Sequence, residues 1–106
     1  MSSTTSLDMR AMRRSAEEAT GLLRALANED RLLLLCQLSQ GEHSVGELES
    51  LLGIRQPTLS QQLGVLREQG LASTRRDGKQ IYYLLSDPRA VAVLKTIYRL
   101  FCEGAK

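Results

Sequence analysis

Between Ser44 and Gly70 the chain is punctuated so closely that few folds can accommodate it. Ser44-Val45-Gly46-Glu47 has the form of a capping box: the serine hydroxyl serves the amide three residues on, and the glutamate reaches back to the serine amide. Val45, Leu48, Leu51 and Leu52 follow, and Gly53 closes this short helix. After a turn at Ile54-Arg55, Pro57 suits the first position of a second helix, where a missing N–H is no loss. Leu59, Leu63 and Leu66 share one face of that helix, and Gly70 ends it. Two helices of this size joined by a tight glycine turn make a helix-turn-helix.

The flanks complete a small domain. Met9, Met12, Ala16, Ala19, Leu22, Leu23 and Leu26 recur at helical spacing, which predicts a first helix from Met9. Asn28 is a suitable cap for a second helix, whose run Leu32-Leu33-Leu34-Leu35-Cys36 is apolar all round and belongs in a core; Gly41 ends it. Beyond the helix-turn-helix, Leu71–Arg76 and Gln80–Leu85 are predicted as strands, with Asp77-Gly78 as the hairpin turn. Ser86, Asp87 and Pro88 open a last helix carrying Ala90, Leu94, Ile97 and Phe101 on one face. The expected fold is mainly α with a small β-hairpin, a winged helix-turn-helix with extra helices at both ends. At 106 residues it fills one domain, here 9–106, after a Ser/Thr-rich tail over 1–8 that is expected to be mobile.

Several functional classes are set aside. No apolar run approaches the roughly 18–20 residues a membrane span needs, and the N-terminus lacks the basic and apolar regions of a secretory signal. One histidine and two cysteines argue against a metal site built mainly on imidazole or thiolate. Two cysteines are ordinary for a cytosolic chain, so a cytoplasmic location is expected. With no nucleophile–base pair, paired carboxylates or phosphate loop in view, neither enzymatic activity nor a cofactor is expected.

The formal net charge of +2 conceals an uneven distribution. Residues 55–80 hold Arg55, Arg67, Arg75, Arg76 and Lys79 against Glu68 and Asp77, an excess of +3, and the remainder sums to −1. A winged helix lays these same parts on DNA, the second helix in the major groove and the wing on the backbone or minor groove. Thr58, Ser60, Gln61 and Gln62 offer polar groups on the solvent face of that helix, and glutamine can read adenine. Arg75, Arg76 and Lys79 suit phosphate contacts. A solvated helix face with a charged hairpin would show similar residues, and some winged helices are purely protein-interaction modules.

Three stretches, Ser44-Val45-Gly46-Glu47-Leu48, Gln56-Pro57-Thr58-Leu59-Ser60-Gln61-Gln62-Leu63 and Leu66-Arg67-Glu68-Gln69-Gly70-Leu71, resemble the ArsR family of bacterial repressors. The wing Thr74-Arg75-Arg76-Asp77-Gly78-Lys79-Gln80-Ile81-Tyr82-Tyr83-Leu84 is similar to the same family, and the resemblance runs from about Ala16 to Cys102. It implies a homodimer joined through its first and last helices and bound to double-stranded operator DNA of two-fold symmetry. Gln56, Thr58, Ser60 and Gln61 would then face the DNA, with Arg75, Arg76 and Lys79 serving the wing. Where arsenic- and cadmium-type members carry Cys-x-Cys, this chain has Ser44 and Gly46. Asp87 and Glu103 match acidic ligands of the zinc-type members, but no histidine follows His43, which itself is expected to be solvated in a polar loop.

Cys36 and Cys102, in the second and last helices, resemble the thiol pair of the SqrR/BigR-type subgroup, which senses persulfides and polysulfides. That resemblance implies that inducer sulfur bridges the two thiols and the dimer then releases its operator. A within-chain bridge would close a loop of about 66 residues, restricting the unfolded chain by on the order of 4 kcal/mol. From the residues alone, Cys36 reads first as core filler in a leucine-rich helix. A general thiol-redox repressor answering to peroxide or disulfide stress is the alternative within the class. Neither thiol has a local activating group: Cys36 lies among leucines, and Cys102 sits near a helix C-terminus beside Glu103.

Overall fold

The computed structural model describes residues 6–103; the first five residues of the expected tail lie outside them. Among the described residues, five α-helices and a small sheet follow one another in the order α1 (Met9–Leu26), α2 (Glu29–Leu38), β1 (His43–Ser44), α3 (Val45–Leu52), α4 (Thr58–Glu68), β2 (Ala72–Asp77), β3 (Gln80–Leu85) and α5 (Pro88–Tyr98). A π-helical turn, Arg99–Glu103, continues α5. No helix among the described residues is long and apolar enough to cross a membrane.

Local chemistry sets the helix starts. The Asp8 carboxylate accepts from the Arg10 and Ala11 amides at 3.0 and 3.3 Å and opens α1. Asn28 accepts from the Arg31 amide at 3.0 Å, and Glu29 and Asp30 place negative charge at the positive end of α2. Both halves of the capping box form: Glu47 N–H donates to Ser44 Oγ at 3.2 Å, and Ser44 N–H donates to Glu47 Oε1 at 2.9 Å. Gly53 ends α3 at φ 70°, a left-handed conformation that glycine reaches without steric cost.

Leu34, Leu35, Leu48, Leu59, Leu63 and Leu66 are fully buried where α2, α3 and α4 meet. Each contributes roughly 1.5–3 kcal/mol by leaving water, so α2 and the helix-turn-helix together hold the most deeply buried side chains. Leu71, Ala72, Ala90 and Leu94 extend that core to the sheet and α5. From α1 only Ala25 and Leu26 are buried, leaving most of that helix without a partner surface inside the protomer.

Five details differ from the sequence expectations. The hairpin belongs to a three-stranded antiparallel sheet of order β1-β3-β2, because His43 and Ser44 pair with Tyr83 and Tyr82. Two residues carry no strand pattern of their own, so only the distant partner makes them a strand. Asp77 pairs with Gln80, which moves the turn to Gly78-Lys79. Gly78 has φ 65°, and glycine at the first of two central residues is what a type II′ turn requires. Pro57 stands at the N-cap, one residue before the helix. Leu33 on α2 is 40% exposed, so the helix that reads as apolar all round still has an outer face. Finally, the helix continues after Tyr98 as a π-helical turn, and Phe101 within it is 73% exposed instead of sharing the buried face of Ala90 and Leu94.

Candidate nucleic-acid interface and thiol pair

Helix α4 is held from beneath by Leu59, Leu63 and Leu66, which fixes what it presents outward. Ser60 and Gln61 are exposed, and Thr58 is half-buried in the first turn. Gln56 is exposed too, but its side-chain oxygen accepts from the Ser60 amide at 3.1 Å. It therefore caps the N-terminus of α4, a position Pro57 cannot serve with a side-chain hydrogen bond. Gln62 turns inward rather than joining the solvent face: Arg31 donates to its Oε1 at 2.8 Å.

Arg31 is a residue sequence reasoning missed. Its guanidinium also donates to the carbonyls of Ala25 at 2.7 Å and Arg24 at 3.2 Å, so one fork ties the C-terminus of α1 to α4. The helix end leaves carbonyls without intrahelical partners, and a cation satisfies both their hydrogen bonds and the dipole. No local motif announces this, since the acceptors lie between 6 and 31 residues away in sequence.

On the wing the three basic residues separate. Arg75 forms a two-pronged ion pair with Glu42, at 2.6 and 2.7 Å, and its guanidinium lies 5.0 Å from the centre of the Tyr82 ring. The hydrogen bond from Arg75 holds the Glu42 carboxyl below the usual carboxylate range. Arg76, next along the strand, projects to the opposite face of the sheet. Neither Arg76 nor Lys79, at the turn, has an acidic partner among the described residues, and both are exposed. Glu42 is the second residue sequence reasoning missed; its role depends on β1 bringing the segment beside β3. His43 in β1 is not solvated in a loop: its ring nitrogens lie 3.3 Å from Gln37 Nε2 and 3.6 Å from Glu47 Oε1.

Cys36 is half-buried on α2 and Cys102 is exposed in the π-helical turn; both are free thiols. Burial raises the Cys36 pKa, and negative charge on Cys102 raises it further. Among the described residues no three His, Cys, Asp or Glu side chains come together as a metal site.

Residues 28–74 match the family described as bacterial regulatory protein, arsR family. The biofilm growth-associated repressor of Agrobacterium fabrum is 55% identical over 92 residues, covering 87% of this chain and 79% of the relative. The chain belongs to the ArsR family. The crystal structure of the transcriptional repressor BigR from Xylella fastidiosa superposes with a TM-score of 0.86 at 49% identity, covering 91% of this chain and 98% of that one. A homodimeric winged helix-turn-helix DNA-binding domain from Mycobacterium bovis superposes at 0.75 with 26% identity, covering 97% and 94%. As an ArsR-family member with this winged helix-turn-helix, the protein is a DNA-binding transcriptional regulator, and its relatives are regulators rather than enzymes. In ArsR terms α4 is the recognition helix and β2–β3 the wing.

Proposed function

We propose that the protein is a homodimeric repressor that binds two-fold operator DNA while Cys36 and Cys102 are free, and releases it when sulfane sulfur bridges them. The observation that carries the sensing part is that Cys36, on core helix α2, lines one groove together with Arg99 and Glu103, the two ends of the π-helical turn that carries Cys102, so thiols 66 positions apart in sequence stand on facing elements. The DNA-contacting set is Thr58, Ser60 and Gln61 on α4 with Arg76 and Lys79 on the wing; Gln56 and Arg75 act mainly as supports. Dimerisation through α1 and the α5 end is supported by their uncovered apolar side chains, with Met9 61%, Leu23 56%, Tyr98 56% and Leu100 60% exposed. A radius of gyration of 15.8 Å, against about 13 Å for a compact chain of this length, fits a protomer that is incomplete alone.

The chemistry needs no oxidant beyond the inducer. The Cys36 thiolate attacks the terminal sulfur of a persulfide R–S–SH; a new S–S bond forms as the old one breaks, and the thiolate RS⁻ leaves. Cys102 is loaded in the same way. The Cys36 persulfide, having lost its proton, then attacks Cys102 Sγ and expels HS⁻, leaving a bridge of three sulfur atoms in its shortest polysulfide form. Such a bridge couples the core under the recognition helix to the dimer-forming end of α5. A coupling of about 1–3 kcal/mol changes operator affinity by roughly 5–150-fold.

The test is fluorescence anisotropy of the full chain on a fragment of its own promoter, reduced and after glutathione persulfide, with mass spectrometry of the same samples. Weakened binding that accompanies a Cys36–Cys102 crosslink carrying extra sulfur, and is absent in Cys36→Ser, supports the proposal. Unmodified Cys36, or unchanged affinity of the bridged protein, refutes the sensing mechanism. A promoter reporter that falls rather than rises when the chain is removed refutes repression.

A further inference from the structure

A groove of about 510 Å³ runs between α2 and the α5 end, with Cys36 in its wall and Leu94 in its floor. This volume is within the range of small-molecule sites, about 300–1,000 Å³. Its rim is charged in an ordered way. Lys95 and Arg99 line it four residues apart, and because the Arg99 amide donates to the Lys95 carbonyl they stand one turn above each other on the same face. Among the described residues neither has a carboxylate within ion-pair distance. Glu103, four positions further on, lines the same groove and supplies the opposite charge.

We infer that this groove binds the sulfur donor itself, and that the donor is a persulfide of an amino acid or small peptide, its carboxylates on Lys95 and Arg99 and its ammonium on Glu103. The inference rests on the persulfide-sensing reading and adds to it the class of molecule that delivers the sulfur. A thiol within a groove lined by two unpaired cations and one anion matches a ligand carrying carboxylates, an ammonium group and a reactive sulfur together. Lys95 and Arg99 raise the local concentration of such a donor beside Cys36. They also stabilise the thiolate RS⁻ that leaves when the Cys36 thiolate takes the terminal sulfur, the step written above. A half-buried thiol with a raised pKa is a sparse nucleophile, so holding the donor in place has the larger effect on rate. A persulfide bearing only an ammonium group gains nothing from the two cations.

The experiment measures the rate of Cys36 persulfidation in the full-length Cys102→Ser chain by time-resolved mass spectrometry, with glutathione persulfide and cysteamine persulfide as donors. The Cys102 change stops the reaction at the first transfer, so binding and bridging are not confounded. Glutathione persulfide is expected to react faster. Adding Lys95→Gln and Arg99→Gln is expected to slow it by about fivefold, the effect of losing two partly solvated ion contacts, while cysteamine persulfide changes less than twofold. Lys95→Arg with Arg99→Lys keeps both charges and is expected to retain the preference. Equal effects on both donors, or none on either, overturn the groove assignment and leave the sensing reading standing. If neither donor modifies Cys36 in the parent chain, the sensing reading falls, and this inference with it.

Discussion

The Arg75 guanidinium and the Glu42 carboxylate meet through two hydrogen bonds, at 2.6 and 2.7 Å, joining the wing to the segment that leads into β1. An arginine engaged this way is less available to a phosphate than one without a partner. Glu42→Gln is therefore expected to strengthen binding to DNA of any sequence and to steepen the dependence of log K on log salt by about one phosphate contact. Arg76→Ala is expected to do the reverse, weakening binding across all sequences. Anisotropy titrations between low and moderate salt measure both slopes, and a flat response in Glu42→Gln would show that Arg75 does not compete.

The same pair has a pH signature. The Arg75 hydrogen bond lowers the folded-state pKa of Glu42, so the stabilisation is present above the ordinary carboxylate range and is lost as pH falls through the lowered value. An NMR titration of the Glu42 side chain is expected to show a midpoint below the roughly 4.3 of a free glutamate, returning toward it in Arg75→Gln.

Gln56 and Gln61 are expected to separate by phenotype although both lie at the candidate interface. Gln61→Ala removes an exposed reader and is expected to relax discrimination at one operator position by about 1–3 kcal/mol, with little change in Tm. Gln56→Ala removes the acceptor for the Ser60 amide and is expected to destabilise the fold by about 1 kcal/mol, with discrimination retained. Binding to a panel of single-base operator variants, paired with thermal melts, tells the two roles apart.

Replacing Arg31 should act over a distance. Arg31→Ala leaves the Arg24 and Ala25 carbonyls and Gln62 without their donor and is expected to cost about 2 kcal/mol in urea unfolding. Arg31→Lys is expected to recover only part of this, because an ammonium lacks the planar fork that reaches three acceptors. Full recovery by lysine would mean that charge alone matters.

Cys36 should alkylate as a high-pKa thiol. Burial first, and then charge on Cys102, raises its pKa, so the rate with iodoacetamide is expected to climb through and beyond the ordinary thiol range. Cys102→Ser removes the second cause and should shift the Cys36 profile to lower pH. In stability terms the raised folded value favours the neutral thiol, so its contribution is intact below the unfolded pKa and is lost as pH rises through the folded one.

Most of the architecture was legible in residue order because its causes are local. Asp8, Asn28, Ser44 and Asp87 each cap a helix through an amide two or three residues away, and Leu59, Leu63 and Leu66 fall on one side of α4 by helical geometry alone. The basic excess over residues 55–80 and the two cysteines were likewise visible as composition. Tertiary structure decided the rest, where the partner lies far along the chain. Strand β1 exists only through Tyr82 and Tyr83, and Glu42 meets Arg75 across 33 positions. Gln62 points inward because Arg31 is there to receive it. Phe101 and Cys102 lie exposed in a π-helical turn, a departure from α-helical phase that periodic reading extends straight through. Local preferences are set within a turn of backbone, whereas the environment of a side chain is set by whichever distant segment packs against it.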